Sequence, residues 1–191
     1  RPHRPAEVVP RHWLNPSRFA ETYVLSTPFP PDDRSVGYER GTSVSKAWDQ
    51  ATTDSAIETA DYVIAHLREL SGAPEGGPDR AKRLREFAAR FAERAFRRPL
   101  TDEQKKLILD RQFEKAKDPQ DAVKRVVLLV LKSPRFLYRE LAAGKPDAYD
   151  VASRLAFGLW DSLPDAALLE AAAQGKLGNR EQVVAHTERM T

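Results

Sequence analysis

The sequence predicts an all-α protein, an irregular multi-helix bundle with an N-terminal proline-rich extended arm. Three observations support this. From residue 42 onward, apolar residues recur at three- and four-residue spacing, which places them on one side of a helix. Glycine and proline fall where such segments begin and end. No alternating apolar–polar run and no Asn-Gly hairpin signal occurs, so nothing marks a strand.

The arm comes first. Seven of the 14 prolines, Pro2, Pro5, Pro10, Pro16, Pro28, Pro30 and Pro31, lie in the first 31 residues. They remove backbone donors and leave room for short helices at most. Residues 1–41 therefore read as an arm and turn, whose apolar anchors Trp13, Leu14, Phe19 and Tyr23 are expected to pin it to the surface of something else. Residues 42–72 read as a helical segment that ends a first domain. Ser43 or Ser45 caps a helix running towards Leu70, with Ile57, Ala60, Ile64 and Leu67 on its buried face. Ser71-Gly72 and the Pro/Gly stretch at 74–78 end it and form a linker.

Residues 78–145 read as a small helical middle domain. Its first helix, Asp79 to Arg98, carries Leu84, Phe87, Ala88, Phe91 and Ala95 as a core stripe. Arg94, Arg97 and Arg98 crowd the last turn, where cations complement the helix dipole, and Pro99 stops the helix. Thr101 and Gln104 form a capping box before a helix whose apolar side carries Leu107, Ile108 and Phe113. Asp118-Pro119 repeats a start signal. The run from Ala122 to Leu131 beyond it is apolar nearly all round. It suits a buried strand or a central buried helix, and its Asp-Pro start favours the helix. Ser133-Pro134 restarts the pattern through Phe136, Leu137 and Leu141, and Gly144 supplies a left-handed stop.

Residues 147–191 read as the start of a further helical domain, truncated. Tyr149 to Leu163 forms one helix, with Val151, Leu155 and Leu159 inside and Trp160 beside them. Pro164 opens the next, which ends near Gly175, and Asn179 with Gln182 caps a third. Leu155, Leu159, Trp160, Leu168, Leu169, Val183 and Val184 need partners. The chain is therefore expected to be incomplete as a folding unit, and to self-associate or bind the remainder of its parent protein.

Composition narrows the function classes. The 191 residues are 41% hydrophobic and 31% charged, a globular balance that argues against disorder throughout. The 31 Lys and Arg exceed the 28 Asp and Glu by a net charge of only +3, too little to imply nucleic acid. There is no cysteine, which excludes disulfides, thiolate metal sites, a cysteine nucleophile and C-x-x-C-H haem attachment within the chain. The longest apolar run, Val126 to Leu131, is far shorter than the about 20 residues of a membrane span.

Motifs with chemical potential each have a plainer reading. Asp32-Asp33-Arg34 with Glu39 could hold Ca²⁺ or act in acid–base chemistry, but these residue types also build a turn, which is preferred. Asp54, Glu58 and Asp61 share one side of a helix. They could hold a metal if a second helix supplied ligands, and a solvated stripe is the preferred reading. The four histidines, His3, His12, His66 and His186, are scattered and match no zinc spacing. His12 beside Trp13 could ligate haem in trans, although a surface histidine is the simpler expectation. The basic set Arg80, Lys82, Arg83, Arg85, Arg90, Arg94, Arg97 and Arg98 could bind a polyanion. With Asp79, Glu86 and Glu93 interleaved, a solvated or intramolecularly paired face is preferred. There is no G-x-S-x-G, P-loop or dinucleotide-binding glycine pattern. No catalytic, cofactor-binding or metal-ligating residue is assigned, and no cofactor is expected in the chain.

Three segments together carry a family resemblance. They are Phe29-Pro30-Pro31-Asp32-Asp33-Arg34-Ser35-Val36-Gly37-Tyr38; the pair Ala95-Phe96-Arg97-Arg98-Pro99-Leu100-Thr101 and Leu131-Lys132-Ser133-Pro134-Arg135-Phe136-Leu137-Tyr138-Arg139; and Ala152-Ser153-Arg154-Leu155-Ala156-Phe157-Gly158-Leu159-Trp160-Asp161-Ser162-Leu163-Pro164-Asp165 with Leu168-Leu169 and Gly175-Lys176-Leu177. In this order, over residues 29–191, the chain resembles domains of unknown function in large, secreted, cytochrome-like proteins of planctomycetes and similar bacteria. The resemblance implies a periplasmic or secreted location and a c-type haem domain as a partner in trans. It also implies a role as a helical scaffold or docking segment without chemistry of its own. The alternative is part of a secreted hydrolase acting on polysaccharide, its cleft completed by other domains.

Overall fold

A computed structural model describes residues 23–30, 45–138 and 145–190. Of these, 70% are helical and none is in a strand, so the fold is all-α. The expected turn at Asp32-Asp33-Arg34 and Glu39, the anchors Trp13, Leu14 and Phe19, His3 and His12, and Leu141 with Gly144 lie outside the described residues.

Helix α1 (Lys46–Ala65) starts where Ser45 accepts a hydrogen bond from the Trp48 backbone N–H. Its buried side is built from small residues: Ala51, Thr52, Ser55, Ala56, Ala60 and Val63. Ala60 and Leu67 are buried as expected and Ile64 packs against the core, but Ile57 is 45% exposed. Alanines allow close helix approach, and their stripe, not the isoleucines, sets the rotation of α1. The helix does not run unbroken to Leu70. It ends at Ala65, and α2 (Leu67–Ser71) follows after His66, stopped by Gly72 in the left-handed conformation at φ 64°.

Helix α3 (Arg80–Phe96) buries Leu84, Ala88, Ala92, Ala95 and Phe96. Phe87 and Phe91 lie at the margin of this stripe, partly buried, with their rings 6.4 Å apart. The helix stops three residues before Pro99, because Arg97 adopts the left-handed conformation at φ 61°. Thr101 and Gln104 form the expected capping box on α4 (Asp102–Gln104). A π-helical segment, Lys105–Asp110, then leads into α5 (Arg111–Lys115). The wider turn rotates the side chains out of α-helical phase. Ile108 and Leu109 are buried, whereas Leu107, expected beside Ile108, is 51% exposed.

Helix α6 (Pro119–Leu131) is the central helix. Asp118 accepts hydrogen bonds from the backbone N–H groups of Gln120 and Asp121, with Pro119 at the first helical position. Ala122, Val123, Val126, Val127 and Val130 are fully buried between α1 and α3. Lys132 crosses to α1, donating to the Asp49 carboxylate at 2.9 Å and to the Thr52 hydroxyl at 3.0 Å. The short α7 (Pro134–Leu137) packs Phe136 onto the same core.

A second core lies in residues 145–190. Helix α8 (Ala148–Leu159) begins with a reciprocal capping box between Asp147 and Asp150. It turns Ala152, Ser153 and Ala156 inward against Leu168, Ala171 and Ala172 of α9 (Ala166–Ala173). Val151 and Leu155 pack at the edge of this core. Leu159, expected inside, and Trp160, expected beside it, are 42% and 38% exposed, again because the small face of the helix makes the close contact. The helix ends at Leu159, not Leu163. The final helix, α10 (Arg180–Met190), starts where Asn179 accepts from the Gln182 N–H. Leu177 and Met190 complete the core, and the Trp160 indole donates to the Met190 carbonyl at 2.8 Å.

Candidate functional site

The best-developed polar sites fasten one part of the chain to another. The first is on α1. Glu58 accepts hydrogen bonds from the backbone N–H of Ser26 at 2.6 Å, the N–H of Thr27 at 3.0 Å and the Thr27 hydroxyl at 2.6 Å. These bonds, the Thr27 hydroxyl foremost and the Ser26 N–H next, stabilise the carboxylate and lower its pKa to about 2. Tyr23 stacks on Tyr62 with ring centroids 4.0 Å apart, and Tyr62 stacks on His66 at 4.1 Å. Residues 23–30 are thus held on α1 by a carboxylate and a three-ring stack, and Tyr23, expected to pin the arm to the surface of something else, instead stacks on a helix of the same chain.

Glu58 therefore departs from the expected solvated acidic stripe: it binds the chain's own backbone. The other two members engage different partners. Asp54 accepts from Gln50 at 2.9 Å, and Asp61 pairs with Lys124 of α6 at 2.6 Å. Among the described residues, no group of three or more His, Asp or Glu is placed to hold a metal ion. The His66 ring nitrogen Nδ1 lies 2.9 Å from the Tyr62 carbonyl, which directs it to its own helix. His186 is half-buried on α10.

The second site is the corner where α3 ends. Arg97 is only 5% exposed. It donates to the carbonyls of Ala95 at 3.2 Å, Arg135 at 2.7 Å and Tyr138 at 3.2 Å. Its guanidinium also lies 5.8 Å from the ring centroid of Phe157 on α8. Burial lowers its pKa from the ordinary arginine value, and the neighbouring Arg98 charge adds to the shift. Arg98 spans the start of α8. Its Nη1 donates to Asp147 at 2.9 Å and its Nη2 to Asp150 at 2.6 Å, with the Tyr149 ring 5.7 Å away. Burial works to raise the Asp147 pKa, but the Asp150 backbone N–H and Arg98 hold it below the usual aspartate value.

These contacts resolve the basic set into separate roles. Arg80 donates to Gln120, Arg83 to the Gly72 carbonyl, and Arg85 pairs with Asp110 of the π-helical segment. Lys82, Arg90 and Arg94 are exposed. The pairing of Arg80, Arg83 and Arg85 thus runs to other elements, and Arg97, expected on the surface of the last helical turn, is buried beyond the end of the helix. Composition alone does not separate Arg97 from its exposed neighbours. The usable signal is the absence of Gly or Asn between α3 and Pro99, which leaves a non-glycine residue to make the left-handed stop.

A shallow concavity of about 360 Å³ lies between α2 and α3, lined by Arg68, Gly72, Ala73, Pro74, Asp79 and Arg83. It gathers no acid–base pair or nucleophile. No helix among the described residues is long and apolar enough to cross a membrane.

Residues 83–140 match the family PSD5, described as a protein of unknown function (DUF1595). Residues 147–191 match the family PSD4, described as a protein of unknown function (DUF1592). The first match covers most of α3 through α7, and the second covers α8 to α10. No curated protein and no solved structure matches the chain.

Proposed function

We propose that the chain is a helical scaffold or docking segment of a secreted, c-type-cytochrome-associated multidomain protein, and that it carries no chemistry of its own. The observation behind this reading is where the well-built polar groups direct their hydrogen bonds. Glu58 binds the backbone of residues 26 and 27, Arg97 binds carbonyls at the ends of α3 and α7, and Arg98 binds the cap of α8. A catalytic centre instead presents perturbed groups to a cleft where a substrate can reach them. The two family matches fit the resemblance read from the A-F-R-R-P-L-T and S-P-R-F-L-Y-R segments. The extracytoplasmic location and the haem partner follow from that domain company.

The reading is tested on the gene and on the protein. The reading frame upstream of Arg1 is expected to encode a C-x-x-C-H haem segment. That segment, co-expressed with this chain, is expected to elute with it in size exclusion coupled to light scattering. A carbohydrate-binding module in its place, together with release of reducing sugar from a polysaccharide panel, overturns the scaffold reading in favour of a hydrolase.

A further inference from the structure

We infer that Arg97 and Arg98 form a clasp that makes the DUF1595-like region and the DUF1592-like region open as one unit. The two regions have separate hydrophobic cores. Among the described residues, no helix of the first core packs along a helix of the second. Two consecutive arginines, Arg97 and Arg98, bridge them through ring contacts and ion pairs to α8 and its cap.

The left-handed turn at Arg97 lets the two neighbours serve different sides. Arg97 reaches back to the carbonyls of Arg135 and Tyr138 and lies over Phe157. Arg98 reaches forward to Asp147 and Asp150. The two carboxylates form the capping box of α8, so two negative charges already sit within one turn. A guanidinium presents several donors in a fixed plane and can span both, whereas a lysine ammonium is a point charge. Arg98 thereby neutralises the repulsion within the cap while fixing α8 to the end of α3. This inference concerns the mechanics of the chain itself and stands apart from whether the chain docks a haem domain.

Amide hydrogen exchange on the full chain tests it, because exchange reports local opening element by element. In the Arg98→Ala variant, amides of α8, α9 and α10 are expected to exchange at least about tenfold faster, while α6 keeps its protection. Arg98→Lys is expected to fall between the variant and the parent, and Arg94→Ala, at an exposed arginine in the last turn of α3, to match the parent. Unchanged protection of α8 to α10 in Arg98→Ala overturns the clasp. Equal loss in α6 also overturns it, since that pattern describes general destabilisation. If Arg98→Ala fails to fold, a NaCl titration of the parent makes the same discrimination. Screening weakens partly exposed ion pairs, so the clasp requires α8 to α10 to lose protection before α6. Simultaneous loss, or no change with salt, refutes it.

Discussion

Replacing Arg97 with Ala and with Gly sets two effects against each other. The left-handed backbone at φ 61° costs a residue with a Cβ about 1 kcal/mol relative to glycine. The side chain offsets this through hydrogen bonds to three carbonyls, one of them at 2.7 Å. A hydrogen bond to a charged group contributes about 1.5–3 kcal/mol. Releasing the buried guanidinium to water returns part of that total, leaving a net loss of about 3 kcal/mol for Arg97→Ala. Arg97→Gly loses the same bonds but relaxes the backbone, so its net loss should be about 2 kcal/mol. Urea denaturation followed by far-UV circular dichroism reads both values. The expected order is parent, then Gly, then Ala. Arg97→Gly matching or exceeding the parent would refute the reasoning, since the side chain would then be dispensable and the residue merely a poor helix stop.

Val127 is fully enclosed at the centre of α6. Val127→Asp should unfold the chain, because an unpaired buried carboxylate costs several kcal/mol against a total stability of about 5–15 kcal/mol; an unchanged thermal transition would make α6 peripheral. Leu109→Ala should cost about 2–5 kcal/mol and Leu107→Ala less than about 1 kcal/mol, the reverse of what an uninterrupted α-helix with Leu107 inward requires; chemical denaturation of both variants decides. The depressed pKa of Glu58 makes its contribution to arm docking fully present above the unfolded value near 4.5. That contribution is lost as pH falls from there through about 2. Glu58→Gln should therefore raise amide exchange at Ser26 and Thr27 at neutral pH and flatten this acid dependence, and an unaltered pH profile would remove Glu58 from the docking account.

Helix starts were legible in the sequence because each depends on residues within one turn. Thr101 with Gln104, Asp118 with Pro119, and Asn179 with Gln182 all cap the helices they announce. The enclosed α6 was legible too, since a run of valines beyond an Asp-Pro start has few alternatives. Helix rotation was harder to read. Ile57, Leu159 and Trp160 are more hydrophobic than the alanines that displace them from the cores, and the gain from close helix approach depends on the partner helix. The π-helical segment has no local mark among Lys105, Lys106 and Leu107. The polar fasteners were hidden for a different reason: Glu58 meets Ser26 and Thr27 across about 30 residues, and Arg98 meets Asp147 across about 50. The Asp54–Glu58–Asp61 stripe named from spacing dissolves because Glu58 and Asp61 find distant partners while Asp54 bonds Gln50 on its own helix.

The π-helical segment at Lys105–Asp110 also bears on how chain length can vary. Each π turn accommodates more chain than an α turn over nearly the same rise. Removing one residue there would let the helix revert to ordinary pitch while α4 and α5 keep their ends and the loop to Asp118 keeps its length. An insertion or deletion elsewhere in these helices would instead rotate every following side chain by about 100°. Length variation among relatives of the DUF1595-like region should therefore collect at this turn, where it can be absorbed without re-registering the core.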